Sequence, residues 1–339
     1  MTEVNRVWRL RKRPVGDITD DVLILAEEPI PEPNDGECLF RLNYLSLDPT
    51  NRIWMSDVDQ YMPPVALDAP MRGVVCGTVV KSRHPGYTEG QIVSGLGDWA
   101  DYQLGSPLTL SVMGDTGGVP VVEAFSTFAV VGPTAYFGLL DLGQPKAGET
   151  VVVSAAAGAV GSIAGQIAKI KGCRVIGLAG TKDKCTWIKD ELGFDAAINY
   201  RTEDVPTALA AACPDGIDVY FDNVGGAILD VCLKLMNFNG RIPTCGLISQ
   251  YNATEPVPGP YNYPMILMRR LRVQGFIVLD FADRYPEAVA ALGRWMAEGR
   301  IKVRTEIVDG LENALQTVKR LFIGANTGKL IIRVKDVQR

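Results

Sequence analysis

Val151-Val152-Val153-Ser154-Ala155-Ala156-Ala157-Gly158-Ala159-Val160-Gly161 decides the fold of this chain. A β-branched run ends in small residues, and an apolar-periodic segment (Ile163, Ile167, Ile170) follows. The pattern predicts a buried strand, a tight turn and the start of a helix. Such a turn aims backbone N–H groups and a positive helix end at one spot, which suits a pyrophosphate. The dinucleotide fingerprint is G-x-G-x-x-G, and here it reads Ala156-x-Gly158-x-x-Gly161 with alanine first. Alone the motif is weak, because small residues also permit plain helix–sheet packing.

Outward from this stretch, strand-like runs at 151–154, 174–179, 195–198, 217–222 and 241–245 alternate with helical patterns at 159–171, 182–192, 203–212 and 225–236. Alternation of this length means stacked βαβ units and a parallel sheet with helices on both faces. Residues 272–279 are expected to add a sixth strand, which completes a dinucleotide-binding fold. A helix at 284–298 stops at Gly299. The first ~125 residues have another texture, rich in Pro, Gly and Asp, with strands expected at 38–44, 73–80 and 91–94. The alternating tail from 301 is expected to return to that β region. Residues 1–127 with 301–339 would then form one domain and 128–300 the other, in keeping with ~150 residues per domain.

With 47% apolar and 22% charged residues, the composition is that of a soluble globular protein. The net charge of −5 makes a poor polyanion binder, so nucleic acid is not the expected partner. The basic run Arg9-Leu10-Arg11-Lys12-Arg13 reads as a solvated edge. The seven cysteines are scattered and never spaced C-x-x-C, which fits reduced thiols in the cytoplasm. No secretory signal is read at the start, where charges recur from Glu3 to Arg13. Residues 151–168 carry no charge, but their glycines, Ser154, Ser162 and Gln166 argue for the strand–turn–helix unit over a membrane span. Residues 124–140 are also uncharged, with Gly132-Pro133 expected to break them.

The dinucleotide is read just past the second strand, where an acid would bind the ribose of NAD. Here Leu178-Ala179-Gly180 is followed by Thr181-Lys182-Asp183-Lys184, and no acid caps the strand. Two ammonium groups pair with a 2′-phosphate, which favours NADPH. Two lysines opening a helix are otherwise only solvated, and the helix dipole does not favour them there. A catalytic zinc needs clustered Cys, His and carboxylate ligands, and the single histidine, His84, lies in a Pro/Gly loop, so no metal is expected.

Together these residues resemble the zinc-independent branch of the medium-chain dehydrogenase/reductases, closest to the NADPH-dependent alkenal/one reductases (the leukotriene dehydrogenase, prostaglandin reductase and curcumin reductase group). The resemblance spans nearly the whole chain. It rests on 155–162, on Tyr220-Phe221-Asp222-Asn223-Val224-Gly225-Gly226, on Gly246-Leu247-Ile248-Ser249-Gln250-Tyr251-Asn252 and on the tail Gly324-Ala325-Asn326-Thr327-Gly328-Lys329. That tail is one residue short of a P-loop and lacks its final hydroxyl, which excludes an ATPase reading. The implied fold is α/β: a Rossmann doubly wound parallel sheet plus a β-rich GroES-like catalytic domain.

The resemblance implies that Gly158, Ala159, Val160 and Gly161 hold the pyrophosphate. Lys184 and Tyr200 would reach the 2′-phosphate and its ribose, with Thr181 and Lys182 nearby. Asn223 would meet the ribose or phosphate side. The nicotinamide half would be lined by Cys245, Gly246, Leu247, Ile248, Ser249, Gln250, Tyr251, Phe276, Ile277 and Val278. Asn326 would return from the other domain, and Thr134 matches the family residue at the first nucleotide-domain helix. The implied reaction saturates an enal or enone: hydride passes from NADPH to the β-carbon, charge collects on the carbonyl oxygen, and the α-carbon is protonated. Tyr251 is the candidate donor to that oxygen; it could also simply pack on the loop of Pro256, Pro258 and Pro260.

One departure stands out. The family reads Leu-Asp-Pro-Tyr-Met-Arg where this chain has Leu47-Asp48-Pro49-Thr50-Asn51-Arg52. Thr50 and Asn51 should leave the substrate pocket roomier or more polar; Trp54, Tyr61, Tyr261 or Tyr263 could refill it, or could equally be ordinary core or surface aromatics. Two alternatives stay open: a zinc-free quinone reductase, and a non-catalytic NADPH-binding protein. The resemblance also implies a homodimer, with 272–279 as a candidate edge.

Overall fold

The computed structural model describes residues 4–114, 116 and 118–337. The first part of the chain carries β1 (Asn5–Leu10), β2 (Leu23–Glu28), β3 (Cys38–Leu47), helix α1 (Thr50–Trp54), β4 (Arg72–Ser82), β5 (Ile92–Asp98), β6 (Tyr102–Gly105), β7 (Leu110–Val112) and α2 (Val121–Phe128). Then come α3 (Val131–Phe137), β8 (Thr150–Val153), α4 (Ala159–Ile170), β9 (Arg174–Ala179), α5 (Lys182–Thr186), β10 (Ala196–Asn199), α6 (Val205–Ala212), β11 (Ile217–Phe221), α7 (Gly226–Leu235), β12 (Met236–Thr244), α8 (Pro264–Met268), β13 (Arg272–Gly275) and α9 (Tyr285–Ala297). The tail adds β14 (Thr305–Asp309), α10 (Ala314–Lys319) and β15 (Lys329–Arg333). The chain divides into two compact units, 1–129 with 305–339, and 130–304.

In the unit of 130–304, six strands form one parallel sheet in the order β10-β9-β8-β11-β12-β13. This is the doubly wound order, which reverses between β8 and β11 and opens a crevice at their carboxyl ends. All four residues of β8 are buried, as a β-branched strand covered on both faces must be. Helix α4 turns Ile163, Ala164, Ile167 and Ala168 into the core. Beside them, Val152, Ile176, Leu178, Tyr220 and Ile242 form an apolar cluster that reaches Leu233.

In the other unit, β1 and β2 form a small antiparallel ribbon. The main sheet runs β14-β15-β3-β4-β5-β7, with β6 also paired to β3. The tail strand β15 lies antiparallel on β3, with Leu330 opposite Leu47. Phe40, Leu42, Leu45, Trp99 and Ile332 are among the fully buried side chains of its core.

Three elements differ from the sequence expectation. The helix expected over 182–192 changes winding after Thr186, and Trp187–Glu191 is a π-helix whose wider turn brings both Trp187 and Ile188 inward. The strand expected at 241–245 starts at Met236, because Ile217 pairs with Met236 before a register shift. The sixth strand stops at Gly275, where its partner strand ends at Thr244, and the chain turns into a 3-10 helix over Val278–Arg284. Helix α2 and helix α3 are separate, as expected from Gly132-Pro133, but the interruption lies at Ala129 and Val130. Pro133 falls in the first turn of α3, where its missing N–H breaks no bond. The stretch Val121–Gly143 is apolar enough to cross a bilayer by length and composition, and its most apolar 18-residue window is 72% buried inside the protein, as in core helices.

Candidate active site

The turn after β8 is built on Ala155, whose φ of +46° is the strained position. Ala156 N–H donates to the Leu178 carbonyl at 2.9 Å and Gly158 N–H to the Ala155 carbonyl at 2.8 Å. Gly161 is required: a Cβ there would lie 2.4 Å from the Ala155 carbonyl oxygen. Alanine at 156 is accommodated because its methyl is fully buried against Gly177 of β9, where a second side chain would stand 2.8 Å away. The first bond within α4 is Ser162 N–H to the Gly158 carbonyl at 3.0 Å. The amides of Ala159, Val160 and Gly161 precede it and face the crevice end of the helix, where an anion is favoured.

At the end of β9, Thr181 caps α5 by accepting the Lys184 amide at 3.3 Å. Tyr200 N–H donates to the Ala179 carbonyl at 3.1 Å. This brings the Tyr200 hydroxyl within 2.6 Å of where a Gly180 side chain would start. Lys182 is exposed and Lys184 half-buried. The same point has a neighbour that sequence reasoning missed. Arg201 Nε lies 3.3 Å from the Gly180 Cβ position, and its guanidinium sits 6.0 Å from the Tyr200 ring centroid. The only sequence signal was its place directly after Tyr200.

The far end of the crevice is organised by Asp222. Its Oδ1 accepts Tyr220 Oη at 2.8 Å, the Val224 amide at 2.9 Å and the Gly225 amide at 2.8 Å. Burial pushes this carboxyl up against the pull of those donors, and its Oδ2 is buried without a hydrogen-bond partner. Asn223 donates its side-chain amide to the Ser154 carbonyl at 2.7 Å, which ties the ends of β11 and β8 together. The backbone of Asp222 accepts the amides of Cys245 and Gly246 at 2.8 and 3.2 Å, so the 245–251 turn hangs on the same residue. Ser249 Oγ donates to the Val224 carbonyl at 2.6 Å.

Tyr251 closes this turn, and its hydroxyl accepts the Leu247 amide at 2.9 Å. A concavity of roughly 370 Å³ lies here. Of the residues expected at the nicotinamide end, Cys245, Gly246, Leu247, Tyr251, Phe276 and Ile277 line it; Ile248, Ser249, Gln250 and Val278 do not. Thr244, Gly275 and Asp280 line it and were missed, Asp280 because the strand was expected to run on through 279. Burial, with the Asp222 charge adding, pushes the Cys245 thiol up to about 12. Thr134 is buried, and its hydroxyl donates to the Val130 carbonyl of its own helix at 2.8 Å.

The expected substrate-pocket residues are distributed otherwise. Thr50 Oγ1 is hydrogen-bonded to the Tyr61 hydroxyl, so Tyr61 is the aromatic that meets the departure at 50. Asn51, expected as a polar pocket wall, is instead a core residue at 1% exposure. Its amide accepts the Asp48 N–H at 2.8 Å and donates to the Arg72 carbonyl at 3.3 Å. Trp54 is likewise corrected to a core position, with the Arg72 guanidinium 5.7 Å from its ring. Tyr261 lines no part of the concavity and is 87% exposed. Asn326 folds its amide onto the Gly328 carbonyl at 2.8 Å, beside the buried pair of Lys329 with Asp48.

Two family models match the chain: an N-terminal domain of oxidoreductase over residues 6–112, and a zinc-binding dehydrogenase over 159–294. The chain is 46% identical over 335 residues to the NADPH-dependent curcumin reductase of Escherichia coli (strain K12), covering 97% of each. The chain belongs to the zinc-independent medium-chain dehydrogenase/reductases. Among members of this family, prostaglandin reductase 1 of Bos taurus is 40% identical over 333 residues, covering 96% of this chain and 98% of its own. The crystal structure of CurA in complex with NADPH from Vibrio vulnificus superposes with a TM-score of 0.93 at 43% identity, covering 98% and 99%. The zinc in the second model's description does not fit the donors present. His84 Nδ1 accepts the Gly86 amide at 2.9 Å within its own loop, and among the described residues no three metal-ligating side chains cluster.

Proposed function

We propose that this reductase saturates the C=C bond of α,β-unsaturated aldehydes and ketones with NADPH, without metal. The observation that carries the reading is Tyr251: a phenol lining a concavity, fixed by the Leu247 amide, on the turn that the Asp222 backbone carbonyl anchors. NADPH, when bound, supplies the hydride that reaches the substrate β-carbon. The amides at the start of α4 would hold the pyrophosphate, and Lys184, Tyr200 and Arg201 would hold the 2′-phosphate. Accepting an N–H bond polarises the Tyr251 hydroxyl and strengthens it as a donor. It donates to the carbonyl oxygen as that oxygen gains charge, an interaction worth about 3 kcal/mol, or ~10²-fold in rate. Phe276 and Ile277 form the apolar wall that keeps water from the reacting carbons.

The protein works as a cytoplasmic homodimer in this reading. Seven reduced cysteines support the compartment. The four exposed residues of β13, an edge strand with an open side, support pairing of two sheets. The test is NADPH consumption with a small enal, an enone and a quinone, with product identification. A saturated aldehyde or ketone is expected. Turnover of the quinone alone would replace this reading with a quinone reductase, and tight NADPH binding without turnover would leave a binding protein.

A further inference from the structure

We propose that Asp280 is a charge filter that makes the site select neutral enals and enones over enones carrying a carboxylate. This rests on the enone-reductase reading above and names the substrate class within it. Asp280 lines the same concavity as Tyr251, and every other lining residue is uncharged. Its carboxylate is fixed by the local fold, because Oδ2 accepts the Ile277 amide at 3.3 Å at the head of the 3-10 helix.

The cations on neighbouring elements are engaged elsewhere. Arg284, at the end of the same 3-10 helix, pairs with Asp141 and Glu287. Arg241 on β12 pairs with Glu149, and Arg272 on β13 donates to the Leu142 carbonyl. Arg272 keeps its charge but lies at the opposite end of β13 from Gly275, so among the described residues of this unit no cation pairs with Asp280 at the concavity. Lys182, Lys184 and Arg201 gather at the end of β9 instead, the opposite polarity to this end of the crevice.

A space of this volume is about 9 Å across, close to the ~8 Å Debye length at physiological salt, so two like charges within it feel each other. The reaction already builds negative charge on the carbonyl oxygen. A substrate carboxylate adds a permanent second one facing Asp280. At an effective dielectric of about 20 and a separation of about 6 Å inside this space, such a repulsion, screened by salt, lowers kcat/KM about tenfold.

The experiment compares 4-oxo-2-pentenoate with its methyl ester in the full-length protein. The ratio of their kcat/KM values, acid over ester, is measured for wild type, Asp280→Asn and Asp280→Lys. Intrinsic reactivity cancels when ratios are compared between proteins. We expect the ratio to rise about tenfold in Asp280→Asn and further in Asp280→Lys. In wild type the ratio should also climb between about 0.05 and about 0.5 M KCl, and flatten in Asp280→Asn. A ratio within twofold of wild type in both variants overturns the inference. So does a flat wild-type salt profile, which needs no variant to fold. Wild-type reduction of the ester with unchanged ratios sinks the filter alone; no reduction of either compound sinks the enone reading and the filter with it.

Discussion

Replacing Gly138 with alanine tests how the wall beneath the reacting carbons is held. The Phe276 ring lies where a side chain at 138 would begin: a Cβ there would be 2.3 Å from Phe276 Cζ and 2.9 Å from both Phe276 Cε1 and Phe221 Cε2. Carbon atoms rest at about 3.5–4.0 Å, so the ring must retreat by more than 1 Å. Little room exists for that, because Phe276 meets Phe221 edge-on at 6.4 Å and Phe281 edge-on at 6.4 Å, and Phe281 is stacked on Phe137 at 4.6 Å. Overpacking of this kind costs about 1–3 kcal/mol, which in a unit of this size lowers Tm by about 3–8 °C. Phe276 also lines the concavity, and a 1 Å displacement at a reacting centre costs up to ~10²-fold. The expected result for Gly138→Ala is therefore a 10- to 100-fold fall in kcat with an enone. Binding of 2′,5′-ADP, which has no nicotinamide, should stay within about twofold. Adding Phe276→Leu should restore at least half of the lost Tm, since the shorter side chain vacates the contact. Wild-type turnover in Gly138→Ala, or no rescue by Phe276→Leu, refutes the packing argument.

Lys184→Ala and Arg201→Ala should each raise the KM for NADPH about tenfold, the scale of a charge-assisted hydrogen bond at a partly exposed site, and leave NADH unaffected; equal losses with both cofactors would remove the 2′-phosphate assignment. Tyr251→Phe should lower kcat at least tenfold with NADPH affinity nearly unchanged, as fluorescence titration would report; full turnover in the variant excludes the phenol as donor. Acid stability depends in part on Glu149. Burial opposes its ionisation, but the Arg241 guanidinium and the Lys146 amide prevail and hold it below its ordinary 4.5. Its stabilising share is thus complete above about pH 4.5 and fades as pH falls through the lower folded-state value. Between pH 5 and 3, Tm should fall a few degrees further in wild type than in Glu149→Gln, and parallel curves would contradict this.

The parallel sheet was legible because its central strands are buried on both faces, and β8 reads as an unbroken β-branched run. The fingerprint's alanine was legible as a departure but not as a fit. What accommodates Ala156 is Gly177 on the next strand, a contact that local sequence does not encode. Arg201 and Asp280 escaped for a similar reason. Each follows a strand end whose position is set by a partner strand: Thr244 opposite Gly275 stops β13, which frees Asp280 to cap a 3-10 helix at the concavity. Asn51 shows the reverse case. A polar replacement in a family motif read as a polar pocket, whereas the amide is the right length to bridge the Asp48 and Arg72 backbones from inside the core.

The central claim is that hydride reaches the β-carbon of an enone while Tyr251 holds the carbonyl oxygen. The most direct measurement uses NADPH deuterated at C4 on the transferred face, one enone, and mass and NMR analysis of the product. The account predicts a saturated ketone with deuterium on the β-carbon and solvent-derived hydrogen on the α-carbon. An allylic alcohol with deuterium on the carbonyl carbon would contradict it.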